Sequence, residues 1–253
     1  DRAVNKKDIK NEVEDLFGVK VDSVRTHTLK NKKIAYVKLK EEFGGKVTVL
    51  SMGPPQAKES LIEAYAMGAD EAILLSDRKF AGSDTWATAY TLSQAIKEVG
   101  DYDLIFCGRQ AIDGDTAQVG PQIAENLSIP QITYVSKVDI EDKKVTARRK
   151  LEDGYSVIET ELPVLLTVLG DLNQPRYPSI KRIVNAFSKE DTVKTWTADD
   201  FEVDENKLGL DASPTQVYDT FVPSRDHEAE ILEGSVEEKV QKLIDKLKEE
   251  KVV

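Results

Sequence analysis

The sequence predicts an α/β fold with a doubly wound, mostly parallel sheet. Four apolar runs, at residues 46–53, 71–77, 102–108 and 131–138, alternate with segments whose apolar residues recur at helical spacing. Near-continuous apolar strands separated by amphipathic helices are typical of a parallel sheet, because the crossovers place helices on both of its faces. Ligands bind such sheets at the carboxyl ends of the strands.

The intervening helices are predicted over residues 56–67, from residue 83 or 84 to about 99, and over 116–127. Ser83 or Asp84 can cap the second helix, since a side-chain oxygen there accepts from free N–H groups of the first turn. Gly68 and Gly100 are expected to end the first two helices.

From about residue 139 the pattern changes to runs typical of antiparallel strands, at residues 144–151, 155–162 and 163–169. The letters E-D-G join the first two and predict a hairpin, so the sheet should gain an antiparallel extension. Residues 171–226 show little periodicity and predict a long surface excursion. A terminal amphipathic helix follows Ser235, with Glu238 completing a capping box.

Composition limits the classes of function. The chain has a net charge of -11, which argues against non-specific nucleic-acid binding. Its single cysteine, Cys107, forms no intramolecular disulfide and favours a reducing compartment such as the cytoplasm. No apolar run is long enough to span a membrane, and no apolar leader opens the chain, so a soluble protein is expected.

Charge is unevenly distributed along the chain. Residues 1–40 contain 11 Lys or Arg and 6 Asp or Glu, about +5, whereas the remainder carries about -16. Such a shift in composition predicts a boundary near residues 41–45. We therefore expect an atypical α-β-β segment at 1–42, a nucleotide-binding α/β domain at 43–170, and an extended arm at 171–253.

The stretch C-G-R-Q-A-I-D-G-D-T-A-Q-V-G, residues 107–120, joins the third apolar run to the third predicted helix. Gly108 suits a tight turn, while Gly114 and Gly120 leave room for close backbone approach. Free N–H groups at the start of a helix favour a phosphate. Asp113 and Asp115 would repel one unless they cap the helix or bond ribose hydroxyls. By spacing alone, an ordinary capped helix explains the stretch as well as a nucleotide site does.

The same stretch, extended to C-G-R-Q-A-I-D-G-D-T-A-Q-V-G-P-Q-I-A-E-N-L-S-I-P-Q-I-T, resembles the signature of the electron transfer flavoprotein beta subunit. The runs V-L-S-M-G-P-P-Q-A-K-E-S-L, L-N-Q-P-R-Y-P-S-I and W-T-A-D-D resemble that family too. The similarity covers residues from about 43 to 253, and D-R-K-F-A-G-S-D-T-W-A-T-A-Y-T-L is most similar to the anaerobic, flavin-bifurcating type.

The resemblance implies an adenine nucleotide alpha-hydrolase-like fold and a partner alpha subunit that carries an electron-transferring FAD. It also implies that the crevice of this chain holds AMP, or a second FAD that takes a hydride from NADH and divides the electron pair. The residues implied around the nucleotide are Met52, Asp84, Thr85, Thr88, Gly108, Asp113, Gly114, Asp115, Thr116, Ala117, Gln118, Val119 and Gly120. An acyl-CoA dehydrogenase would dock on the segment of Arg176, Tyr177 and Ile180, with Ile180 as the anchor.

The amino-terminal part departs from that family, whose beta subunits open with a strand that lies centrally in the sheet. Residues 1–42 instead resemble the globular part of the large-subunit ribosomal protein beside the peptide exit tunnel. Either the run I-A-Y-V-K-L fills the missing strand's position, or the body is destabilised by two unpaired edges. The basic residues could contact ribosomal RNA or simply form a solvated face.

Two classes of function remain. The first is an electron carrier subunit, whose redox chemistry comes from a flavin and whose lack of a nucleophile–base pair or metal cluster fits that role. The second is a ribosomal RNA-binding module fused to a passive nucleotide-binding body. The longer, acidic, motif-bearing body favours the carrier.

Overall fold

The computed structural model describes residues 44–112, 114–174, 177–189, 191–220 and 231–250. The predicted α-β-β segment at 1–42 lies outside these residues. Contacts divide the chain into two units, the first ending at Gln216 and the second starting at Val217. Residues 171–216, which the sequence groups with the arm, therefore belong to the first unit.

One parallel sheet of the first unit has the order β1-β2-β8, with β1 at Thr48–Met52, β2 at Glu71–Leu75 and β8 at Lys194–Trp196. Helix α1, Lys58–Ala66, connects β1 to β2 and follows a 3-10 turn at Pro55–Ala57. The strand and helix predicted for this region are confirmed.

Helix α2 spans Thr85–Val99 and connects β2 to β3, Leu104–Gly108. The predicted cap is confirmed at Asp84, whose carboxylate accepts from the N–H groups of Trp86 and Ala87. Gly100 ends the helix with a φ of 85°, a conformation that a side chain disfavours.

The second sheet has the order β3-β7-β4-β5-β6. Strands β3, β7 and β4 run parallel, whereas β5 and β6 extend the sheet antiparallel. The new strands are β4 (Gln131–Glu141), β5 (Lys144–Leu151), β6 (Gly154–Glu161) and β7 (Val164–Val168). The predicted α/β class, with mostly parallel strands and an antiparallel extension, is confirmed.

Within the described residues the strands form two sheets, and β1 and β3 do not pair with each other. Among the described residues, β1 ends one sheet and β3 ends the other. Two strands belong to one sheet only when backbone hydrogen bonds connect them directly or through other strands. No described strand pairs with both β1 and β3.

Helix α3 spans Val119–Leu127, three residues shorter at its start than predicted. Asp115 and Ala117 have φ values of 49° and 56°. A right-handed helix cannot include residues with positive φ, so the loop continues to Gln118. Apolar packing then fixes α3 on the sheet, since Ile123 and Ala124 are buried with Ala89 of α2 and Leu165 of β7.

The predicted irregular excursion at 171–226 was wrong in part, since it contains helix α4, Ile180–Ser188, as well as β8. Apolar residues at 180, 183, 184 and 187 follow the helical period and could have predicted α4. The end of α4 is fixed by Thr192, whose hydroxyl lies 2.8 Å from the carbonyl oxygen of the buried Ala186.

The second unit contains helix α5, Val236–Glu249. Its predicted capping box is confirmed, since the Ser235 hydroxyl accepts from Glu238 N–H and the Glu238 carboxylate accepts from Ser235 N–H. Within the described residues, no helix combines the length and the apolar composition needed to cross a bilayer.

Candidate functional site

The candidate site lies where β3 ends and its loop leads into α3. Gly108 is the last residue of β3 and is exposed, with no atom within 4 Å of a Cβ built on it. In a parallel sheet this carboxyl edge is the place where crossover loops separate and leave a crevice. The topology therefore places the loop at residues 109–118 where ligands bind.

The loop has an unusual backbone. Both Asp115 and Ala117 adopt the left-handed region, which costs a non-glycine residue about 1 to 2 kcal/mol. The Asp115 carboxylate accepts from Gln110 Nε2, and Arg109 Nε donates to Gln110 Oε1 at 2.8 Å. These contacts join residues of the loop to one another and so stabilise its conformation. Strained backbone of this kind is most common at functional sites.

The N-terminus of α3 lacks the usual neutralising groups. Its N-cap residue, Gln118, makes no side-chain capping bond, and its first turn contains no acidic residue. Helices α2, α4 and α5 have side-chain caps, and α1 has Glu59 in its first turn. Among the described α-helices, α3 alone therefore presents free N–H groups and the positive end of its dipole without either.

Asp115 does not cap α3, contrary to one of the two roles expected for it, because the helix begins at Val119. Its backbone N–H donates to Ala111 O at 3.2 Å, and its carboxylate contacts Gln110. Its other expected role, as a partner of ribose hydroxyls, stays a prediction. Asp113 lies outside the described residues.

Gly120 is buried and holds α3 close to the sheet. A Cβ at this position would lie 2.6 Å from Thr167 Cγ2 and 3.3 Å from Cys107 Cβ. Because real Cβ atoms do not approach so closely, a side chain at this position would require α3 or Thr167 to move. In contrast, a Cβ on Gly114 would have no neighbour within 4 Å.

The hydroxyl of Thr85 connects the first turns of α2 and α3. It donates to Gln118 Oε1 at 3.1 Å, and Gln122 Nε2 lies 3.5 Å from it. The other amide atom of Gln122, Oε1, is buried and has no hydrogen-bond partner within the described structure. The structure thus brings together two predicted residues, Thr85 and Gln118, and adds Gln122.

Asp84 is fully engaged by the protein. Its Oδ1 accepts from Trp86 N at 2.9 Å and Ala87 N at 3.1 Å, while its Oδ2 accepts from Thr215 N at 3.0 Å and Thr215 Oγ1 at 2.9 Å. Burial opposes ionisation, but the bonds from Ala87, Thr215 and Trp86 outweigh it and lower the pKa of Asp84. Its geometry is that of a helix cap that also holds the chain at Thr215.

The remaining predicted residues around the crevice make fewer polar contacts. Met52 ends β1 and packs against the cluster that contains Ile73 and Leu75. Thr88 lies on α2, half-buried, with its N–H bonded to Asp84 O at 3.0 Å. Thr116 is exposed, and Val119 packs against the apolar cluster beneath α3.

The chain's single thiol lies near this edge, one residue before Gly108. Burial raises the pKa of the Cys107 thiol to about 12, so the thiol stays protonated at neutral pH. In the described part of the chain, no group of three or more His, Cys, Asp or Glu residues could hold a metal ion.

The segment expected to bind a dehydrogenase lies at the start of α4. Tyr177 is 75% exposed, and Ile180 is the first residue of the helix and half-buried. Phe187, one of the apolar residues farther along α4, is also exposed, whereas Ala186 is fully buried. Arg176 lies outside the described residues. The sequence prediction missed Phe187, although its helical spacing from Ile180 could have indicated it.

Ser213, Thr215 and Gln122 were also missed by the sequence prediction. Ser213 Oγ accepts from Asp84 N at 2.8 Å and donates to Gly209 O at 2.7 Å. These contacts join positions far apart in the chain, and no local pattern of residues indicates them. Only Gln122 could have been suggested, since it follows Gln118 by one helical turn.

Comparison with known proteins gives a consistent result. The family model described as "Electron transfer flavoprotein domain" matches residues 36–201. An electron transfer flavoprotein subunit beta from Thermoanaerobacterium thermosaccharolyticum is 58% identical over 217 residues, covering 86% of this chain and 83% of that protein.

Two further relatives carry different names. The caffeyl-CoA reductase-Etf complex subunit CarD of Acetobacterium woodii is 50% identical over 214 residues, covering 84% of this chain and 81% of that protein. Protein FixA of Bradyrhizobium diazoefficiens is 47% identical over 215 residues, with coverages of 82% and 74%. The family match begins at residue 36, somewhat before the predicted start near 43, and these comparisons give the ribosomal resemblance of residues 1–42 no support.

Proposed function

The chain belongs to the electron transfer flavoprotein beta-subunit family and has an electron-transfer role, and from this premise we propose that it binds an adenine nucleotide at the α3 edge of its second sheet. The observation that carries the proposal is the N-terminus of α3, which has neither a side-chain cap nor an acidic residue in its first turn. A phosphate is the ligand that such a terminus favours, because free N–H groups and the helix dipole both attract an anion.

The surrounding residues fit a nucleotide in distinct ways. Gly120 lets α3 sit close to β3 and β7, which brings its first N–H groups to the carboxyl edge of the sheet. The Thr85 hydroxyl fixes Gln118 at the start of that helix. Asp115 and Ala117 have left-handed backbone just before α3, and successive N–H groups in such turns can bind anions, which supports a phosphate position here.

The adenosine part is assigned to residues beyond this phosphate position. Met52 offers an apolar, polarisable side chain at the end of β1 for the adenine ring. The carboxylates of Asp113 and Asp115 are suited to accept from ribose hydroxyls. Gly108, Gly114 and Thr116 are exposed, and the two glycines carry no side chain that would cover their backbone.

The nucleotide is AMP or FAD. A bound flavin would supply the redox reactivity, including hydride acceptance from NADH in a bifurcating protein, while this chain supplies binding, orientation and electrostatics. With FAD, Thr85 and Thr88 on the first turn of α2 would face the flavin part of the cofactor. Asp84 then acts indirectly, since it caps α2 and so places these two threonines.

A comparison of AMP with adenosine tests the phosphate position. In calorimetric titrations of the purified chain we expect AMP to bind at least tenfold more tightly than adenosine, since only AMP offers a charged group to α3. Equal affinities for AMP and adenosine would contradict a phosphate-binding site at the N-terminus of α3. Mass spectrometry of the nucleotide released by denaturing protein co-expressed with an alpha subunit then distinguishes AMP from FAD.

The family to which the chain belongs also suggests its partners. We propose an electron transfer flavoprotein alpha subunit as the stable partner and an acyl-CoA dehydrogenase as the docking partner at α4. A few apolar residues provide most of the binding energy in such contacts, and this segment offers the exposed Tyr177 and Phe187 and the half-buried Ile180.

Docking is tested by single substitutions on α4. Ile180→Ala should slow electron transfer to or from the dehydrogenase about tenfold and leave nucleotide affinity unchanged. Lys181→Ala is the matched control, because Lys181 is the next residue on the same helix and is exposed. If the two variants transfer electrons at the same rate, Ile180 is not the anchor.

A further inference from the structure

One buried polar atom beside the proposed nucleotide site has no partner. Gln122 is the fourth residue of α3, and its side-chain oxygen, Oε1, is buried and accepts no hydrogen bond within the described structure. Among the described side-chain atoms, only Arg149 Nε is also buried without a partner. Buried polar groups are nearly always paired, so an unpaired one requires an explanation.

Rotation of the amide does not supply the missing partner. The other amide atom, Nε2, lies 3.5 Å from the Thr85 hydroxyl, which donates its single proton to Gln118 Oε1 at 3.1 Å. If the Gln122 amide turned by 180°, Oε1 would face a hydroxyl whose proton is already in use, and Nε2 would become the unpaired atom. The described protein groups therefore satisfy only half of the Gln122 amide.

The described packing of α3 does not require an amide at position 122. The next two residues, Ile123 and Ala124, bury their side chains with Ala89 of α2 and Leu165 of β7. Methionine is as long as glutamine, favours a helix about equally, and would leave no polar atom of this kind unpaired. A glutamine that departs from this rule beside a candidate site indicates a ligand group that its amide binds.

The position of Gln122 restricts which part of a nucleotide its amide could contact. The amide lies beside Thr85 in the first turn of α2, which is the place proposed for the flavin part of FAD, whereas adenine is assigned to Met52 at the end of β1. Oxidised isoalloxazine has one N–H group, N3–H, which lies between two carbonyl groups. A primary amide matches this edge, because its oxygen accepts from N3–H while its nitrogen donates to an adjacent carbonyl oxygen.

We propose that Gln122 binds the N3–H edge of the FAD isoalloxazine and so makes the site prefer FAD to AMP, which has no such group. This inference rests on the proposed nucleotide site at α3 and deepens it, since it selects one of the two nucleotides. Gln118 is exposed and bound to the same Thr85 hydroxyl as Gln122, so its side chain can turn into solvent as the flavin approaches.

Gln122→Met tests the proposal in the purified full chain. We expect the variant to bind FAD about tenfold more weakly, measured by flavin fluorescence, and to bind AMP as the parent does, measured by calorimetry. Because the substitution removes an unpaired buried oxygen, the Tm should stay the same or rise, whereas a merely structural role would lower it. Asn126→Met is the matched control, since Asn126 is exposed one turn later on α3 and should affect neither affinity.

A flavin analogue tests the same contact from the side of the ligand. 3-Methyl-FAD carries a methyl group in place of the N3 hydrogen and cannot donate a hydrogen bond there. The parent chain should bind this analogue about tenfold more weakly than FAD, and Gln122→Met should bind the two flavins equally. The measurement on the parent chain decides the question even if Gln122→Met fails to fold.

Three results would overturn the role of Gln122 and leave the nucleotide site at α3 standing. The first is equal FAD affinity in Gln122→Met and Asn126→Met, and the second is equal affinity of the parent chain for FAD and 3-methyl-FAD. The third is a parent chain that binds AMP but not FAD. A parent chain that binds neither nucleotide would contradict the site itself, and the role of Gln122 with it.

Discussion

The Thr85 hydroxyl donates a 3.1 Å hydrogen bond to Gln118 Oε1, which joins the first residue of α2 to the N-cap of α3 across 33 residues of sequence. Both helices connect strands of the α/β core, but they connect different pairs of strands. This bond adds a polar link at the α3 N-terminus to the apolar packing of Ile123 and Ala124 against Ala89 of α2.

Replacing Thr85 with valine should weaken both the fold and the nucleotide site. Valine keeps the shape but removes the hydroxyl, which leaves Gln118 without its donor. We expect a loss of about 0.5 to 1 kcal/mol in the free energy of unfolding and an AMP affinity about fivefold lower. Chemical denaturation and calorimetry measure the two effects. Thr85→Ser retains the hydroxyl and should behave like the parent chain, and equal losses in both variants would contradict the role of the bond.

Replacing Gly120 with alanine should be strongly destabilising, although alanine normally stabilises a helix by up to about 1 kcal/mol relative to glycine. The new Cβ would lie 2.6 Å from Thr167 Cγ2, so α3 must move or Thr167 must shift. Overpacking of this kind costs about 1 to 3 kcal/mol. A lower Tm and weaker AMP binding are expected together.

The control for this substitution is Gly114→Ala. A Cβ on Gly114 has no atom within 4 Å, and its φ is not positive, so the variant should keep the parent's Tm. If the Tm of Gly120→Ala equals or exceeds that of Gly114→Ala, then the close packing of α3 on β7 does not require glycine at position 120.

Asp84 should contribute stability that depends on pH. Its pKa is lowered in the folded chain, so its contribution is present above the ordinary carboxyl pKa, near 3.9, and is lost as pH falls through the lower folded value. Asp84→Asn should therefore be less stable than the parent at pH 7, with a difference that shrinks below about pH 4. Urea denaturation across this range measures it. Asp101→Asn, at an exposed position, serves as the comparison, and a difference for Asp84→Asn that does not change with pH would exclude an ionic contribution.

Cys107 should be unreactive in the folded chain. With its pKa raised to about 12 by burial, roughly one thiol in ten thousand is ionised at pH 8, and only the thiolate attacks disulfide reagents. Labelling should be slow in buffer and rapid in guanidinium, where the ordinary pKa returns. Fast, stoichiometric labelling of the native chain would show that Cys107 is accessible and ionised.

The parts of the fold that the sequence predicted are those with local causes. Strands β1 and β2 are short apolar runs, and α2 has a capping aspartate at one end and a glycine at the other. The hairpin between β5 and β6 follows from three letters, E-D-G. In each case the residues that specify the element lie within it or next to it.

The start of α3 could not be predicted in this way. Thr116 follows two aspartates and precedes an apolar period, which is the usual pattern of a capped helix, but the left-handed backbone at Asp115 and Ala117 delays the start of the helix by three residues. Nothing in the identity of alanine indicates a positive φ.

The sequence by itself determined the α/β class, the order of most elements, the family and the loop at 107–120 as the place to look for a ligand, because composition, period and motif are properties of neighbouring residues. Only the tertiary structure decided that Asp84 accepts hydrogen bonds from Trp86, Ala87 and Thr215, that Thr85 donates to Gln118, and that, among the described strands, β1 and β3 end different sheets. These relationships depend on distances between residues remote in the chain, and those distances exist only after the helices have packed on the sheets.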